Sequence, residues 1–343
     1  MNSYKRVEAV LNGRIPDRVP VNLINFICAP REVGLTVKEA FKDAKKYSYA
    51  QLKAQEKYSH DMVSLQTGVV GLAHSLGCEI KYYDTTCPVV VGRPYKCYKD
   101  FIESYCGLKP DELLSTLIEA TKLVVREIGE NVFIRADSEL GPFSLAGEIF
   151  GLDKLLTDLM DENKRRDIKD VLSICSDAII KLSKYLKEAG AHLTGIGDSL
   201  SGPDVISPNI YKDVVFNFHK QCGDNFKKLG LDFVLHICGN ATSIIDKMVD
   251  TGAIALELDY KINGKKCRDI TLGKCTIIGN LDPSEVMCNG TPELIMSKAK
   301  EAIELFGKDG WFILSPGCDL PYETPEENMF ALVEVAKKYG KYK

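Results

Sequence analysis

The sequence has 343 residues and a net charge of −4, and hydrophobic and charged residues make up 45% and 27% of the chain, as in an ordinary globular protein. The acidic balance argues against nucleic acid as the main partner, because phosphate binding needs a basic surface. No apolar run reaches the roughly 18–20 residues of a membrane span. The N-terminus lacks the apolar core of a secretory signal, so the sequence predicts a cytoplasmic protein without a membrane partner.

Short apolar runs alternate with helical patterns along the chain. The eight predicted strands cover residues 18–25, 61–66, 131–138, 191–199, 232–239, 253–259, 275–282 and 311–317. Such alternation indicates a parallel sheet. Eight units in this length favour one (β/α)8 TIM barrel with extra N-terminal helices, and an open doubly wound sheet is the alternative. We expect a single barrel domain over 1–343, with residues 1–60 as an N-terminal strand and helical extension and 61–343 as the main barrel.

Several helical patterns have recognisable start and stop residues. A helical stretch is predicted over 36–58, and another helix is predicted to stop at Gly190. Ser207 is followed by Pro208, which predicts a helix start with Ser as the cap and Pro in the first turn. Thr291 and Thr324 each precede Pro-Glu, so both are predicted to cap a helix in the same way.

The stretch VLHICGN places His236 and Cys238 two residues apart on a predicted strand. Successive side chains of a strand point to opposite faces, so Val234, His236 and Cys238 share one face. The opposite face is fully apolar and is expected to meet the helices, so the mixed face should look into the barrel with Cys238 nearest its mouth. Imidazole and thiolate together favour zinc, and buried packing is the alternative explanation for the pair.

A catalytic zinc site needs three protein ligands and an open position, so a third ligand must come from another strand end. Cys318 is the strongest candidate among the twelve cysteines, because it follows the strand at 311–317, where a Pro-Gly pair breaks the pattern. Cys275 begins its strand and belongs at the opposite end of the barrel. Cys288 precedes a helix in a polar connection, and both are weaker candidates.

Acidic residues are predicted at the carboxyl ends of four strands, namely Asp137, Asp198, Glu257 with Asp259, and Asp282 near the end of the next strand. Of these, Asp198, Glu257 and Asp259 are the candidates for the chemistry. In AIALELD, small residues precede Glu257 and Asp259, which suits an inward face that opens into a site. Either acid can be a labile fourth ligand, and a carboxylate that supports a ligand or positions the substrate is the alternative. Asp198 lies in GIGDSLSG, whose glycine spacing does not match a dinucleotide-binding loop, so we interpret it as another acid at the barrel mouth.

Three stretches resemble the uroporphyrinogen decarboxylase superfamily. They are RVEAVLNGRIPDRVPV near the N-terminus, GNLDP at 279–283, and LSPGCDLPYETPEENMFALVEVAKKYGK near the C-terminus. The resemblance covers essentially the whole chain and implies a (β/α)8 barrel. Within that superfamily, H-x-C followed about 80 residues later by a cysteine resembles the zinc-dependent corrinoid methyltransferases, including the methylcobamide:coenzyme M methyltransferases. The resemblance implies that His236, Cys238 and Cys318 are the zinc ligands.

The sequence departs from uroporphyrinogen decarboxylase itself at three places. That enzyme has an arginine-rich stretch after the first strand, where this chain has NLINFICAPREVG with Arg31 alone. It has an aspartate soon after the second strand, where this chain reads SLQTGVVG, and its Gly-His-Gly near the C-terminus is replaced by Gly317-Cys318-Asp319. Without several arginines an octacarboxylate would be poorly held, so decarboxylation is disfavoured.

The resemblance implies a methyltransferase that moves a methyl group between a corrinoid, methylcobalamin on a small partner protein, and a thiol or other acceptor. It implies that Zn²⁺ activates the nucleophile, while Glu257, Asp259 or Asp198 takes the thiol proton or holds the substrate.

Arg31 and Arg135 are candidate anion contacts, with structural salt bridges as the alternative. Coenzyme M, another thiol and a pterin remain as acceptors, and transfer can run in either direction. A zinc-free decarboxylase-like enzyme and a non-catalytic corrinoid- or tetrapyrrole-binding module are the competing hypotheses.

Overall fold

A computed structural model describes residues 1–342. The strands, in chain order, are β1 Met62–Leu65, β2 Glu79–Lys81, β3 Val89–Gly92, β4 Phe133–Ala136, β5 Leu193–Gly197, β6 Asp232–Ile237, β7 Ala255–Leu258, β8 Thr276–Leu281 and β9 Phe312–Pro316. The α-helices are α1 Ser3–Leu11, α2 Val37–Phe41, α3 Ala44–Tyr58, α4 Gly71–Ser75, α5 Tyr98–Ser104, α6 Glu112–Ile128, α7 Pro142–Phe150, α8 Leu152–Leu159, α9 Arg165–Glu188, α10 Pro208–Ile210, α11 Phe216–Lys228, α12 Ile245–Asp250, α13 Gly264–Thr271, α14 Pro292–Phe306 and α15 Glu326–Tyr339. Short 3-10 helices cover Ala29–Val33, Ser199–Ser201, Ala241–Ser243 and Gly307–Asp309, and π-helical turns cover Tyr211–Val215 and Pro283–Cys288.

Seven strands form one parallel sheet in the order β1-β4-β5-β6-β7-β8-β9. The segment 21–22 joins its two edges, because Val21 forms a parallel bridge with Leu314 of β9 and Asn22 forms one with Met62 of β1. The sheet is therefore curled into a barrel with eight strand positions, the first of which is only two residues long. The predicted (β/α)8 barrel is confirmed, and the open doubly wound alternative is wrong.

All eight predicted strands contain a strand or bridge of the barrel, with shorter bounds than the sequence pattern gave. The predicted helical stretch at 36–58 is divided into α2 and α3. The division falls at Asp43, whose side chain accepts hydrogen bonds from the main-chain N–H groups of Lys45 and Lys46 and so starts a new helix. The antiparallel hairpin β2–β3 was not predicted, because its strands are short and half exposed. Among residues 1–342, no helix has both the length and the apolar character needed to cross a membrane.

Two of the three predicted helix caps are confirmed. The side chains of Ser207 and Thr291 each accept a hydrogen bond from the main-chain N–H three residues further on. The predicted cap at Thr324 is wrong, because its hydroxyl donates to the carbonyl oxygen of Pro321 and α15 begins two residues later at Glu326. Thr324 therefore closes the turn that precedes the helix.

The alternation of side chains along β6 separates the inside of the barrel from the outside. Val234 packs in an inner apolar cluster that receives one side chain from each of the seven strands of the sheet. Phe233, Leu235 and Ile237 pack instead in the core between the sheet and the helices. The predicted faces are confirmed, and His236 continues the inner face towards the carboxyl end of the strand.

Helix α1 covers the amino-terminal end of the barrel. Val7, Val10 and Leu11 pack against the inner cluster. The fully buried Asp61, just before β1, accepts hydrogen bonds from Arg6 Nη1 at 2.6 Å and Arg18 Nη1 at 2.7 Å. It also accepts one from the main-chain N–H of Val21 at 2.9 Å. One carboxylate therefore fixes α1 and the closing segment 21–22 to the same strand.

Removing the charge of Asp61 should weaken the whole fold. We expect Asp61→Asn to lower the free energy of unfolding by roughly 3–5 kcal/mol, because Arg18 loses its salt-bridge partner and Arg6 keeps only the partly exposed Asp17. Urea unfolding followed by circular dichroism measures this change. Asp269→Asn is the matched control, since Asp269 is exposed and should change stability by less than about 0.5 kcal/mol. Equal losses in the two variants would contradict the role given to Asp61.

His60 should make the stability fall in mild acid. Its side chain is 1% exposed, and burial lowers the pKa of the imidazole to about 4. The unfolded chain takes up this proton at its ordinary pKa near 6.5, so stability is complete above that pH and decreases from there down to pH 4. We expect wild type to lose about 3 kcal/mol more than His60→Leu between pH 7 and pH 4, by urea unfolding. Parallel pH profiles for the two proteins would refute this assignment.

Candidate metal centre at the barrel mouth

Side chains from two non-adjacent strands meet at the carboxyl end of the barrel. His236 lies on β6 and Cys238 directly follows it, while Cys318 follows β9. One potential ligand atom from each of the three lies within 4.8 Å of the other two. The Nε2 atom of His236 is 2.8 Å from Cys238 Sγ, which is 3.8 Å from Cys318 Sγ. The structure therefore brings together the three residues that the sequence singled out.

The ring of His236 is oriented by the main chain of β7. Its Nδ1 atom is 3.0 Å from the carbonyl oxygen of Glu257. A carbonyl can only accept, so Nδ1 carries a proton and donates it. In the neutral ring this leaves the lone pair on Nε2, the atom that faces Cys238. A hydrogen bond of this kind fixes the tautomer of a metal-binding histidine.

The pKa of each of the three donor groups depends on its neighbours in the group. Burial opposes protonation of His236, but the adjacent thiolate of Cys238 outweighs it and raises the pKa of the imidazole to about 10. A hydrogen bond from the Cys318 thiol, together with the charge on His236, lowers the pKa of Cys238 to about 3. The same hydrogen bond, with burial, raises the pKa of Cys318 well above its usual value. Two sulfurs and one imidazole form a donor set found in catalytic zinc sites, so these residues fit zinc.

A small cavity lies against the three donors. Its volume is about 120 Å³. Its apolar wall consists of Ile24, Phe26, Val69 and Leu140, and its acidic groups are Asp137, Glu139, Glu257 and Asp319. Depressions of about 320 Å³ around His192 and about 360 Å³ beside Tyr260 are larger. In residues 1–342, however, the group of metal-ligating side chains is found at the smaller cavity, which makes it the candidate site.

Two of the three predicted acids stay close to the donors. Glu257 borders the cavity, with Oε1 3.5 Å from His236 Nδ1 and Oε2 accepting a hydrogen bond from Arg135. Asp259 does not border the cavity. Its Oδ2 accepts from the main-chain N–H of Gly239 at 2.8 Å, so it holds the turn that follows Cys238. Of the three predicted acids, Glu257 is the one that borders the cavity.

Asp198 lies outside the cavity and is occupied elsewhere. It is fully buried and accepts hydrogen bonds from the main-chain N–H groups of Phe143 and Ser144, at the start of α7. Its Oδ2 is also 2.6 Å from Nε2 of His219, whose Nδ1 is 3.1 Å from the hydroxyl of Tyr211. The expectation that Asp198 meets the substrate is therefore corrected. It connects β5 to two helices, and His219 of α11 belongs to the same buried hydrogen-bond network.

The two candidate anion contacts have structural partners. Arg135 is buried and donates to Asp137 Oδ1 at 2.6 Å and to Glu257. Arg31 donates to the carbonyl oxygens of Tyr322 and Thr324 outside the cavity. The salt-bridge alternative therefore describes Arg135, and it also describes Arg31, which forms a salt bridge with Glu32 at 3.4 Å in addition to its main-chain contacts.

Sequence reasoning missed two acids that border the cavity, Glu139 and Asp319. Glu139 has a positive φ of 62° just beyond β4, and Asp319 follows the candidate ligand Cys318. Their positions just beyond strand ends were the available signal. The signal was weak, because neither residue lies within a run of strand periodicity and both turn inward through loop geometry.

Comparisons with known proteins agree with this geometry. The family model for uroporphyrinogen decarboxylase (URO-D) matches residues 2–339. The chain belongs to this family. It is 30% identical over 340 residues to the methylcobamide:CoM methyltransferase MtbA of Methanosarcina acetivorans, covering 98% of this chain and 97% of that protein. The corresponding values for the methylcobamide:CoM methyltransferase MtaA of Methanosarcina barkeri are 27% over 348 residues, with 97% of each chain covered.

A solved structure described as a methyltransferase from Methanosarcina mazei matches with a TM-score of 0.88 and 25% identity, over 99% of both chains. A uroporphyrinogen decarboxylase of Carboxydothermus hydrogenoformans is 26% identical over 322 residues, with 89% of each chain covered. The predictions of the family and of a methyltransferase enzyme are confirmed, and the decarboxylase alternative has less support.

Metal analysis of cysteine variants tests the candidate site. Protein from zinc-replete medium should contain about one zinc per chain, and Cys238→Ser and Cys318→Ser should each lose most of it, because a serine hydroxyl is a poor zinc ligand. Cys97→Ser is the matched control, since that thiol is exposed and remote from the donor group. Full zinc occupancy in both site variants would show that these sulfurs do not hold the metal.

Proposed function

We propose that this protein is a zinc-dependent methyltransferase that moves a methyl group between a corrinoid on a small partner protein and a small thiol. The observation that carries the proposal is the convergence of His236, Cys238 and Cys318 beside one cavity at the carboxyl end of the barrel. In (β/α)8 enzymes, catalytic groups lie at that end. The names of the methanogen relatives supply the corrinoid and the thiol.

The donor set suits activation of a sulfur nucleophile. Two thiolates and one imidazole would hold zinc, which would supply a Lewis acid that lowers the pKa of a substrate thiol and leaves its sulfur nucleophilic. His236 would present Nε2 to the metal, because its Nδ1 proton is fixed on the carbonyl oxygen of Glu257. The sulfur then forms a carbon–sulfur bond as the cobalt–carbon bond breaks, and the bonding electron pair remains on cobalt.

Glu257 is the acid placed to serve this step. Its carboxylate borders the cavity and lies beside both His236 and Arg135. It would accept the thiol proton, or would serve as a further ligand to the metal when no substrate is bound. Asp259 and Asp198 support the loops around the site through their main-chain hydrogen bonds. We propose that the whole chain works as one barrel domain in the cytoplasm, and that the transfer is reversible.

The competing functions fit the site less well. Uroporphyrinogen carries eight carboxylates, but four carboxyl groups border this cavity, and the one lining arginine, Arg135, is already paired with two of them. Like charges at such short range oppose binding of a polyanion. A non-catalytic corrinoid-binding module gives no reason for two sulfurs and an imidazole to face one another beside the cavity.

Methyl transfer should depend on the metal and on its ligands. Protein incubated with methylcobalamin and 2-mercaptoethanol should convert the absorbance of methylcobalamin to that of cobalt(I) or cobalt(II). Chelation of zinc should lower the rate at least 100-fold and added zinc should restore it, because the thiol would otherwise stay largely protonated. Cys318→Ser should show the same loss, and Cys97→Ser should keep the wild-type rate. A wild-type rate after complete metal removal would refute the proposed function.

A further inference from the structure

The charges that border the cavity are predominantly negative. Asp137, Glu139, Glu257 and Asp319 contribute four carboxyl groups. Apart from the candidate ligand His236, Arg135 is the one basic residue that lines the cavity in residues 1–342. An anionic tail on a substrate would therefore find no unpaired basic side chain in the described lining of the cavity.

The guanidinium group of Arg135 already has two salt-bridge partners. Arg135 is buried, and it forms salt bridges with Asp137 at 2.6 Å and with Glu257. To bind a sulfonate or carboxylate it would have to leave two buried carboxylates without a partner, which costs several kcal/mol. The arginine therefore neutralises its neighbours and is not available for an anionic substrate.

Two of the acids lack a basic partner altogether. The Oδ1 atom of Asp319 is inaccessible to solvent and has no hydrogen-bond donor in the described chain. Glu139 is 1% exposed and accepts from the main-chain N–H of Leu72 at 2.8 Å, but forms no salt bridge. Burial raises the pKa of the Glu139 carboxyl group to about 8, although the hydrogen bond from Leu72 by itself would lower it. A buried acceptor without a donor is costly, so a donor from the ligand would be stabilising.

The size of the cavity limits the acceptor to a few heavy atoms. A volume of about 120 Å³ is well below the roughly 300–1,000 Å³ of pockets that hold drug-sized ligands. Ile24, Phe26, Val69 and Leu140 form an apolar wall that suits a short hydrocarbon chain. A two-carbon thiol with one polar end group fits these dimensions, whereas the fused rings and tail of a pterin do not.

We infer that the methyl acceptor is a short aminothiol, whose positively charged ammonium group lies against Asp319 and Glu139 while its sulfur faces His236, Cys238 and Cys318. The inference rests on the proposed function and assigns its substrate class. An ammonium group donates three hydrogen bonds, and beside it Glu139, which burial keeps largely protonated at pH 7, would release its proton and bind as a carboxylate. Asp319 and Glu139 are then specificity-determining residues for the tail of the substrate.

Three thiols that share a two-carbon chain test the inference. They are 2-aminoethanethiol, 2-mercaptoethanol and 2-mercaptoethanesulfonate, with a cationic, a neutral and an anionic tail. With methylcobalamin as donor at pH 7, we expect kcat/KM to decrease in that order, at least tenfold from the amine to the sulfonate. Calorimetry without the methyl donor should give the same order of dissociation constants.

Isosteric variants separate tail recognition from the intrinsic reactivity of the thiols. Asp319→Asn and Glu139→Gln keep the shape of each side chain and remove its charge. The ratio of kcat/KM for the amine to that for the alcohol should fall about tenfold in Asp319→Asn, as expected for loss of a charge-assisted hydrogen bond. Glu139→Gln provides an independent second test. Asp269→Asn is the control whose ratio should equal that of wild type.

The outcomes distinguish this inference from the proposed function. Tighter binding or faster methylation of the sulfonate would overturn the inference while supporting the proposed function. An unchanged amine-to-alcohol ratio in both variants would also overturn it. Binding in the expected order without any methyl transfer would support the charge preference and contradict the proposed function.

Discussion

The parallel bridges from the segment 21–22 to β9 and β1 hold the sheet closed, and the position of the candidate metal centre depends on that closure. β6 and β9 are separated by two strands in the sheet, so in a flat sheet their carboxyl ends would lie roughly 14 Å apart at about 4.8 Å per strand. In the curled sheet both ends border one mouth, and Cys318 comes within 3.8 Å of Cys238. Asp61 fixes the closing segment at the other end through its bonds to Val21 and two arginines, so a carboxylate remote from the mouth contributes to the geometry of the site.

Electrostatic compensation determines what the mouth can accept. Arg135 forms salt bridges with both Asp137 and Glu257. Glu257 also lies beside His236, and its main-chain carbonyl oxygen accepts a hydrogen bond from His236 Nδ1. One continuous group of contacts thus orients a potential ligand and neutralises buried acids. Asp319 has no such compensation, and its buried Oδ1 atom has no hydrogen-bond donor in the described residues. Under the proposed function, a substrate tail that donates hydrogen bonds would fit this arrangement better than an anionic tail.

Membership in the uroporphyrinogen decarboxylase family does not by itself decide the chemistry, because one barrel carries both decarboxylases and methyltransferases among its relatives. Side chains at strand ends can change without disturbing the inner apolar cluster, so one barrel can carry different chemistries. In this chain the end of β9 carries Cys318 and the region after the first strand position carries few arginines. The donor atoms and charges at the mouth, more than the fold, thus carry the functional conclusion.

The sequence by itself determined the strands, their faces and the three donor residues, because period-two alternation in β6 and a Pro-Gly break after β9 are local features that tertiary contacts did not override. It did not determine the cap of α15, because the hydroxyl of Thr324 donates to the carbonyl oxygen of Pro321 instead. It also did not determine the role of Asp198, whose carboxylate accepts a hydrogen bond at the start of α7 and contacts His219. Only the tertiary structure showed that Glu139 and Asp319 face the cavity and that Arg135 is already paired. The physical reason is that charge compensation depends on contacts in space between residues that are far apart in sequence. Arg135 and Glu257, for example, form a salt bridge although 122 positions separate them.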